Sequence, residues 1–129
     1  MKIYDFGKES GQNIISYKSS GADYTKIVKH NKQIQIGCIY IGQEGIVGLH
    51  KAPVNQLMLV VSGQGWVSGE EGIRYKIMPG QAAFWQRGEC HESGSHTGMT
   101  VIVIESEDLE PTMKEIDWDK SVANEKQPF

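Results

Sequence analysis

The four histidines of this chain occupy two kinds of position, and two of them are candidates for chemistry inside a cavity. His30 lies in VKHNKQ, a predicted hairpin turn, and His96 lies in the glycine-flanked loop SGSHTG, so both are expected on the solvated surface. His50 and His91 instead lie where a predicted strand meets a polar turn, in HKAPVNQLMLVVSG and PGQAAFWQRGECH. An imidazole placed there can be aimed into a cavity, where it would donate and accept hydrogen bonds.

Cys90 directly precedes His91, so a cysteine–histidine catalytic pair has to be considered. A cysteine nucleophile needs a lowered thiol pKa and a base within reach. Neighbouring residues of a strand face opposite sides of the sheet, so we do not expect these two side chains to meet. The sequence therefore argues against this pair.

The elements that must position the histidines are strands. QIQIGCIYIG alternates, with Ile34, Ile36, Cys38 and Tyr40 on one face. Further strand-length segments follow, at the roughly 8–12-residue spacing typical of sandwiches and barrels. They are GIVGLHKA, QLMLVVSG, QGWVSG, IRYKIM, QAAFWQ and MTVIVIE. The pattern predicts an all-β barrel or jelly roll whose tapered interior can hold one small ligand.

Both ends of the chain are predicted to lie outside this barrel. The polar segment GKESGQNIISYKSSGAD predicts a short N-terminal arm. Glu110-Pro111 predicts the start of a short helix, because proline is favoured in a first helical turn. The final residues SVANEKQPF predict a loose C-terminal tail. We therefore expect a single domain over residues 1–129, with a barrel core at about 24–106.

Composition and charge exclude several classes of partner. The 129 residues carry a formal net charge of −3 without a basic cluster, so a nucleic-acid partner has no electrostatic support. No apolar run approaches the roughly 18–20 residues of a membrane helix, and MKIYDFGKES lacks the apolar segment of a secretory signal. Cys38 and Cys90 match no zinc or redox spacing, so we expect reduced thiols in a cytoplasmic protein.

The segments around His50 and His91 resemble the two motifs of the cupin superfamily. The first motif, G-x5-H-x-H-x3,4-E-x6-G, is matched at Gly45, His50, Gln56 and Gly63, with the first glycine one residue closer than usual. The second, G-x5-P-x-G-x2-H-x3-N, is matched in spacing at Gly80, Gln86, Gly88, His91 and Ser95. The resemblance covers residues 34–105 and implies a cupin-type double-stranded β-helix, which is a jelly-roll barrel. It also implies a homodimer.

The resemblance further implies a metal site with an incomplete set of ligands. Metal-binding cupins use histidine, histidine, glutamate and histidine at these positions, whereas this chain has Ala52 and Gln56 at the second and third. His50, Gln56 and His91 are the implied ligands of a divalent ion, which would be Zn, Ni, Mn or Fe. Because an amide oxygen is neutral, the site would be short of negative charge and would hold the ion less tightly.

Other side chains are candidates for completing or surrounding this site. Glu89 would share the strand face of His91 if the strand is regular, although a glutamate here is more commonly found in the exposed turn. Glu92 should point to the opposite face. His96 could replace the missing ligand only if its loop folds back. The large apolar residues near the motifs are predicted to line a small-ligand pocket, with ordinary core packing as the alternative. They are Met58, Trp66, Phe84 and Trp85.

Three functions remain open at this point. In the first, the barrel holds a divalent metal and a small-molecule ligand, and the protein is a metal-dependent enzyme of unassigned reaction. In the second, no metal is bound, and His50, Gln56 and His91 orient a small ligand through hydrogen bonds. In the third, the barrel is a scaffold for interaction, paired through QIQIGCIYIG and MTVIVIE.

Overall fold

The computed structural model describes residues 1–117, which form an almost entirely β structure. Two 3-10 helices, Lys8–Ser10 and Ser16–Lys18, are the only helices among these residues, and no helix there is long and apolar enough to span a membrane. The strands are β1 (Lys2–Asp5), β2 (Gln12–Asn13), β3 (Asp23–Tyr24), β4 (Gln35–Ile41), β5 (Gly45–Lys51), β6 (Asn55–Gly63), β7 (Gly65–Ser68), β8 (Tyr75–Ile77), β9 (Gln81–Trp85), β10 (Cys90–Ser95), β11 (Met99–Ser106) and β12 (Lys114–Ile116).

Two sheets face each other and make up the barrel. The larger has the strand order β12-β1-β9-β6-β11-β4, and the smaller has the order β5-β10-β7-β8. A separate two-stranded sheet joins β2 to β3. Neighbouring strands in these sheets pair antiparallel. This arrangement confirms the predicted all-β jelly-roll class.

Apolar side chains fill two separate regions because the larger sheet is covered on both faces. The interior cluster lies between the sheets and draws Met58, Val101 and Trp85 from the larger one and Val67 from the smaller one. The outer cluster lies on the opposite face of the larger sheet, where segments near Ile27 and Leu109 cover residues such as Leu57, Phe84 and Ile104. Alternate residues of one strand therefore enter different cores.

The ends of the chain differ from the prediction. β1 and β12 pair with each other and belong to the larger sheet, so the sheet extends beyond the predicted core at 24–106 on both sides. Ile3 and Ile116 face each other there and join the interior cluster. The helix predicted from Glu110-Pro111 is wrong, because this segment forms a bridge at Pro111 and then the strand β12. The predicted loose tail, residues 121–129, lies outside the described residues.

Candidate functional site

The two imidazoles that were predicted to converge lie side by side on the smaller sheet. His50 on β5 and His91 on β10 are directly opposed cross-strand partners. Their ring centroids are 4.3 Å apart and their planes are inclined at 56°. His91 is buried, at 4% exposure, whereas His50 is exposed. The pair therefore spans the boundary between the barrel interior and solvent.

A bulge in β5 turns His50 toward His91. Val47 pairs with Ser93 and His50 pairs with His91, so Gly48 and Leu49 together oppose the single residue Glu92. The extra residue shifts the alternation and lets both Val47 and His50 face inward. At the bulge the Gly48 carbonyl accepts a hydrogen bond from His50 Nδ1 at 2.7 Å. This contact leaves Nε2 as the acceptor nitrogen of the neutral ring.

The turn before β10 is bound to the end of β5. The Gly88 N–H donates to the Ala52 carbonyl at 2.8 Å, and the Ala52 N–H donates to the Glu89 carbonyl at 3.0 Å. Gly88 has φ +87°, and a Cβ built there would meet nothing within 4 Å. Glycine is therefore favoured by the backbone conformation rather than by crowding. These two bonds set the register that places His50 opposite His91.

His91 is enclosed between the two sheets. Its ring stacks on Trp85 of the larger sheet, with centroids 4.3 Å apart and planes inclined at 25°. Its Nδ1 donates to the Glu89 carbonyl at 3.3 Å. Burial is the largest influence on the pKa of His91 and lowers it, and the neighbouring His50 lowers it further, against the opposing effect of the Glu89 carbonyl. The ring is therefore held neutral near pH 7, with Nε2 able to accept.

A second row of side chains, in addition to the pair of His50 and His91, lies on the larger sheet. Gln56 pairs with Trp85 on one side and with Glu105 on the other, so these three residues stand side by side on β9, β6 and β11. Gln56 Nε2 donates to Glu105 Oε1. Gln56 is 9% exposed, and its Oε1 is buried without a hydrogen-bond partner in the described part of the chain. A buried oxygen without a donor is costly, so this atom marks a place where an additional group would bind favourably.

Glu105 is the site residue that the sequence reasoning missed. It ends the strand MTVIVIE, two residues after Val103 and four after Val101, both of which face the interior. The period-2 alternation of that strand was the available signal, because it carries Glu105 to the same face. Its contact with Gln56 joins residues 49 positions apart in the chain.

Two of the four predicted pocket residues lie in the barrel interior, and two do not. Met58 and Trp85 belong to the interior cluster. Trp66 lies on the outer face of the smaller sheet, where its ring packs over Gly94 and under the guanidinium of Arg74, 3.7 Å from the ring centroid. Phe84 belongs to the outer cluster. The structure therefore does not bring Trp66 and Phe84 to the histidines, because Val67 and Trp85 take the inward positions beside them.

Glu89 is engaged elsewhere and does not complete the ligand set. One carboxylate oxygen accepts from the Gln86 N–H at 3.2 Å, and the other pairs with the N-terminal ammonium of Met1. The side chain also lines a cavity of about 460 Å³ whose other walls include several carboxylates. Glu92 points outward, as predicted, and lies 3.8 Å from Arg74.

The remaining histidines lie away from this pair. His96 forms a pair with Glu44 and stays exposed, so its loop does not fold back as a ligand. His30 is half-buried rather than fully solvated, and its Nε2 lies 2.7 Å from Ser106 Oγ. Because that hydroxyl donates to the Gln33 carbonyl, His30 Nε2 is the donor in this contact. Hydrogen bonding in the loop before β4 accounts for His30.

An open cavity of about 460 Å³ borders the second row of side chains. Its walls are the segment leading into β4, the β5–β6 loop and the end of β11, and they include Pro53, Val54 and Glu105. The volume is within the range of small-molecule sites. This cavity gives a ligand a route to Glu105.

The candidate donor atoms are the two imidazole Nε2 atoms and the amide oxygen of Gln56, whose strand partner Trp85 stacks on His91. No group of three or more His, Cys, Asp or Glu side chains within residues 1–117 is arranged to hold a metal ion. The unpartnered Oε1 of Gln56 and the two Nε2 atoms nevertheless have the chemistry of ligands for a divalent cation. Ala52 adds no donor and is buried in the interior cluster.

The comparison of sequences gives one informative relative. The chain is 35% identical over 78 residues to the (R)-mandelonitrile lyase of Granulicella tundricola. The aligned region covers 59% of this chain and 57% of the lyase, so it spans little more than half of that enzyme. No protein-family model matches the chain.

Solved structures share the architecture at low sequence identity. A cupin superfamily protein from Desulfitobacterium hafniense superposes with a TM-score of 0.55 at 12% identity, covering 64% of this chain and 74% of that one. A chain from the crystal structures of two DMSP lyases has a TM-score of 0.55 at 19% identity, covering 65% and 45%. The resemblance inferred from the two motifs is thus confirmed at the level of the fold: this chain has the fold of the cupin superfamily.

Proposed function

We propose that this protein is a metal-dependent lyase that binds a divalent ion through His50, Gln56 and His91 and acts on a small molecule. The observation that carries this proposal is the Oε1 of Gln56, which is buried and has no hydrogen-bond partner within residues 1–117. Both imidazoles use Nδ1 on backbone carbonyls, which leaves both Nε2 atoms as acceptors. Because imidazole suits Zn, Ni and Fe while amide oxygen suits Mn, any of these four ions is compatible with the set.

The residues around the donors have separate tasks in this proposal. Trp85 holds the ring of His91 from the larger sheet and presents an apolar wall. Glu105 lines the open cavity and contacts Gln56, and its carboxylate would supply a negative charge. When bound, a divalent ion would act as a Lewis acid that polarises an oxygen of the ligand.

The reaction class is supported by the relatives. The sequence relative is named a mandelonitrile lyase and one structural neighbour a DMSP lyase. The barrel, its open cavity and the mixed nitrogen and oxygen donor set suit a small substrate that carries an oxygen. A cyanohydrin such as mandelonitrile is therefore the first substrate to test.

A metal-free binding protein is the second candidate. Ala52 in place of a ligand, and the lack of three charged or imidazole ligands within residues 1–117, both favour it. In that case the two imidazoles, Gln56 and Glu105 would bind a small polar molecule through hydrogen bonds.

The decisive experiment measures metal uptake and cleavage on the same samples. Protein stripped with a chelator would be titrated with Mn, Fe, Ni and Zn by calorimetry, and mandelonitrile cleavage would be followed by the absorbance of benzaldehyde. We expect near-stoichiometric binding in the wild type and in the control His96→Asn, and affinity at least tenfold weaker in His91→Asn. A wild type that takes up none of these ions would overturn the metal site and favour the metal-free protein. Uptake without cleavage would overturn mandelonitrile as the substrate.

A further inference from the structure

We propose that Glu105 is a positioning residue of this site, which holds the amide of Gln56 in the orientation that leaves Oε1 free for the ion. The proposal rests on the proposed function, because it concerns the same ion and the same ligand. It assigns a role to a carboxylate for which the two sequence motifs have no counterpart. Glu105 would act through Gln56 rather than bind the ion itself.

The register of β6 and β11 makes the contact between these side chains possible. Gln56 and Glu105 are directly opposed in the larger sheet. Side chains at such positions start about 4.5–5.5 Å apart at Cβ, which is within reach for a glutamine and a glutamate. Both point into the barrel, beside Trp85 and the interior core.

The chemistry of the pair selects one of the two orientations of the amide. An ionised carboxylate can only accept hydrogen bonds, whereas an amide has a donor end and an acceptor end. Only the NH2 end of Gln56 can therefore face Glu105, and this is the contact observed. The oxygen must then face the other way, and it has no donor among residues 1–117. Within residues 1–117, the bond to Glu105 is the side-chain contact that holds this orientation against its flipped alternative.

The same contact supplies the charge that the ligand set lacks. Gln56 is neutral, and the usual cupin glutamate is absent from its position. A hydrogen bond from the amide N–H to a carboxylate is charge-assisted and polarises the amide, which increases the electron density on Oε1. Carboxylates placed behind metal-binding histidines raise the basicity of the ligand in the same way. The Gln56–Glu105 pair would thus replace a single glutamate ligand. Gln56 would provide the oxygen that binds the ion, and Glu105 would provide the negative charge.

The test compares four variants by calorimetric titration of chelator-stripped protein with Zn²⁺ and with Mn²⁺. Glu105→Met removes the acceptor, Glu105→Gln removes the charge while keeping an acceptor, and Gln56→Glu/Glu105→Gln exchanges the two functional groups. Glu107→Gln is the matched control, because Glu107 lines the same cavity but is exposed. The side-chain amide resonances of Gln56 would be recorded in the metal-free protein as a readout that requires no ion.

We expect Glu105→Met to weaken binding about tenfold or more, and Glu105→Gln to weaken it less. The double variant should return the affinity to near the wild-type value, because the carboxylate then occupies the ligand position. Glu107→Gln should bind as the wild type does. The amide resonances of Gln56 should shift in Glu105→Met and not in the control.

Several results would overturn the proposal. One is a folded Glu105→Met in which the amide resonances of Gln56 have shifted but the affinity for the ion is unchanged. The proposed metal site would still hold in that case, but Glu105 would have no role in it. Another is equal weakening in Glu105→Gln and Glu107→Gln, which would show a general effect of charge. Glu105→Met could fail to fold, and the double variant then provides the test. If it binds the ion no more tightly than Glu105→Gln does, the proposal is overturned in the same way. Absence of binding in the wild type is a separate result, which removes the proposed function and the role of Glu105 together.

Discussion

The imidazole of His91 lies nearly parallel to the indole of Trp85, although the two residues belong to different sheets. The ring centroids are 4.3 Å apart and the planes differ by 25°. Trp85 is itself anchored, because its Nε1 donates to the Ser68 carbonyl of the smaller sheet at 3.2 Å. The orientation of His91 therefore depends on the packing of one sheet against the other.

Replacing Trp85 should affect both stability and metal binding. Trp85→Leu removes the stacked ring from a side chain that is 1% exposed, so we expect the free energy of unfolding to fall by about 3 kcal/mol. His91 would also lose its support, and metal affinity should fall. Trp66→Leu is the matched control, since Trp66 is also buried, at 5% exposure, but lies on the outer face. Denaturant unfolding and calorimetry would measure both quantities. Equal metal affinities in the two variants would contradict the role given to Trp85.

The stability of the metal-free protein should fall with acidity because of His91. Burial lowers the pKa of His91 in the folded state, so the unfolded chain binds the proton more readily. The neutral ring contributes to the free energy of unfolding. This contribution is fully present above the unfolded histidine pKa of about 6.5 and is lost as the pH falls below it.

The measurement compares wild type with His91→Asn in the presence of a chelator, by denaturant unfolding between pH 5 and pH 8. The wild type should lose more stability toward the acid end than the variant, since only the wild type has the buried imidazole of His91, which resists protonation in the folded state. If the free energies of unfolding of the two proteins change in parallel with pH, protonation of His91 does not destabilise the folded state.

Restoring a histidine at residue 52 should strengthen metal binding at a cost in stability. Ala52 is 2% exposed in the interior cluster, so Ala52→His overfills the core and should lower the free energy of unfolding by about 1–3 kcal/mol. The added imidazole would supply a third nitrogen donor. Ala52→Phe serves as the control for bulk, since it adds a ring without a donor. Should Ala52→His bind Zn²⁺ no more tightly than the wild type, residue 52 does not face the ion.

The exposed face of β4 predicts that two copies of this chain associate. β4 is the last strand of the larger sheet in the described structure, and its side chains Ile36 and Tyr40 are 61% and 80% exposed. Its sequence QIGCIYI has no charged residue, so antiparallel pairing with a second β4 brings no like charges together. We expect a homodimer by light scattering.

Charged substitutions on this strand test the association. Ile36→Lys and Tyr40→Lys together should shift the protein to monomer by placing lysines opposite each other on an edge strand. Tyr17→Lys is the control, because Tyr17 is more exposed still but lies in a 3-10 helix. Equal masses for the double variant and the control would contradict pairing through β4.

The residues that were predicted correctly are those whose signal is local. The alternation in the strands and the turn glycine Gly88 are readable over short stretches, and the spacing of the two motifs brought His50 and His91 to one place. It was harder to predict which of two adjacent aromatic residues faces the interior. Phe84 and Trp85 cannot both face inward, and only the register of β9 against β6 shows which one does.

By itself the sequence determined the all-β class, the paired histidines and the loss of a ligand at Ala52, because side-chain period, turn chemistry and motif spacing are written along the chain. The tertiary structure alone decided that β1 and β12 close the larger sheet, that a bulge turns His50 inward, and that Glu105 meets Gln56. The physical reason is that strand pairing is non-local. A shift of one residue moves every side chain to the other face, and no short stretch of sequence contains that choice.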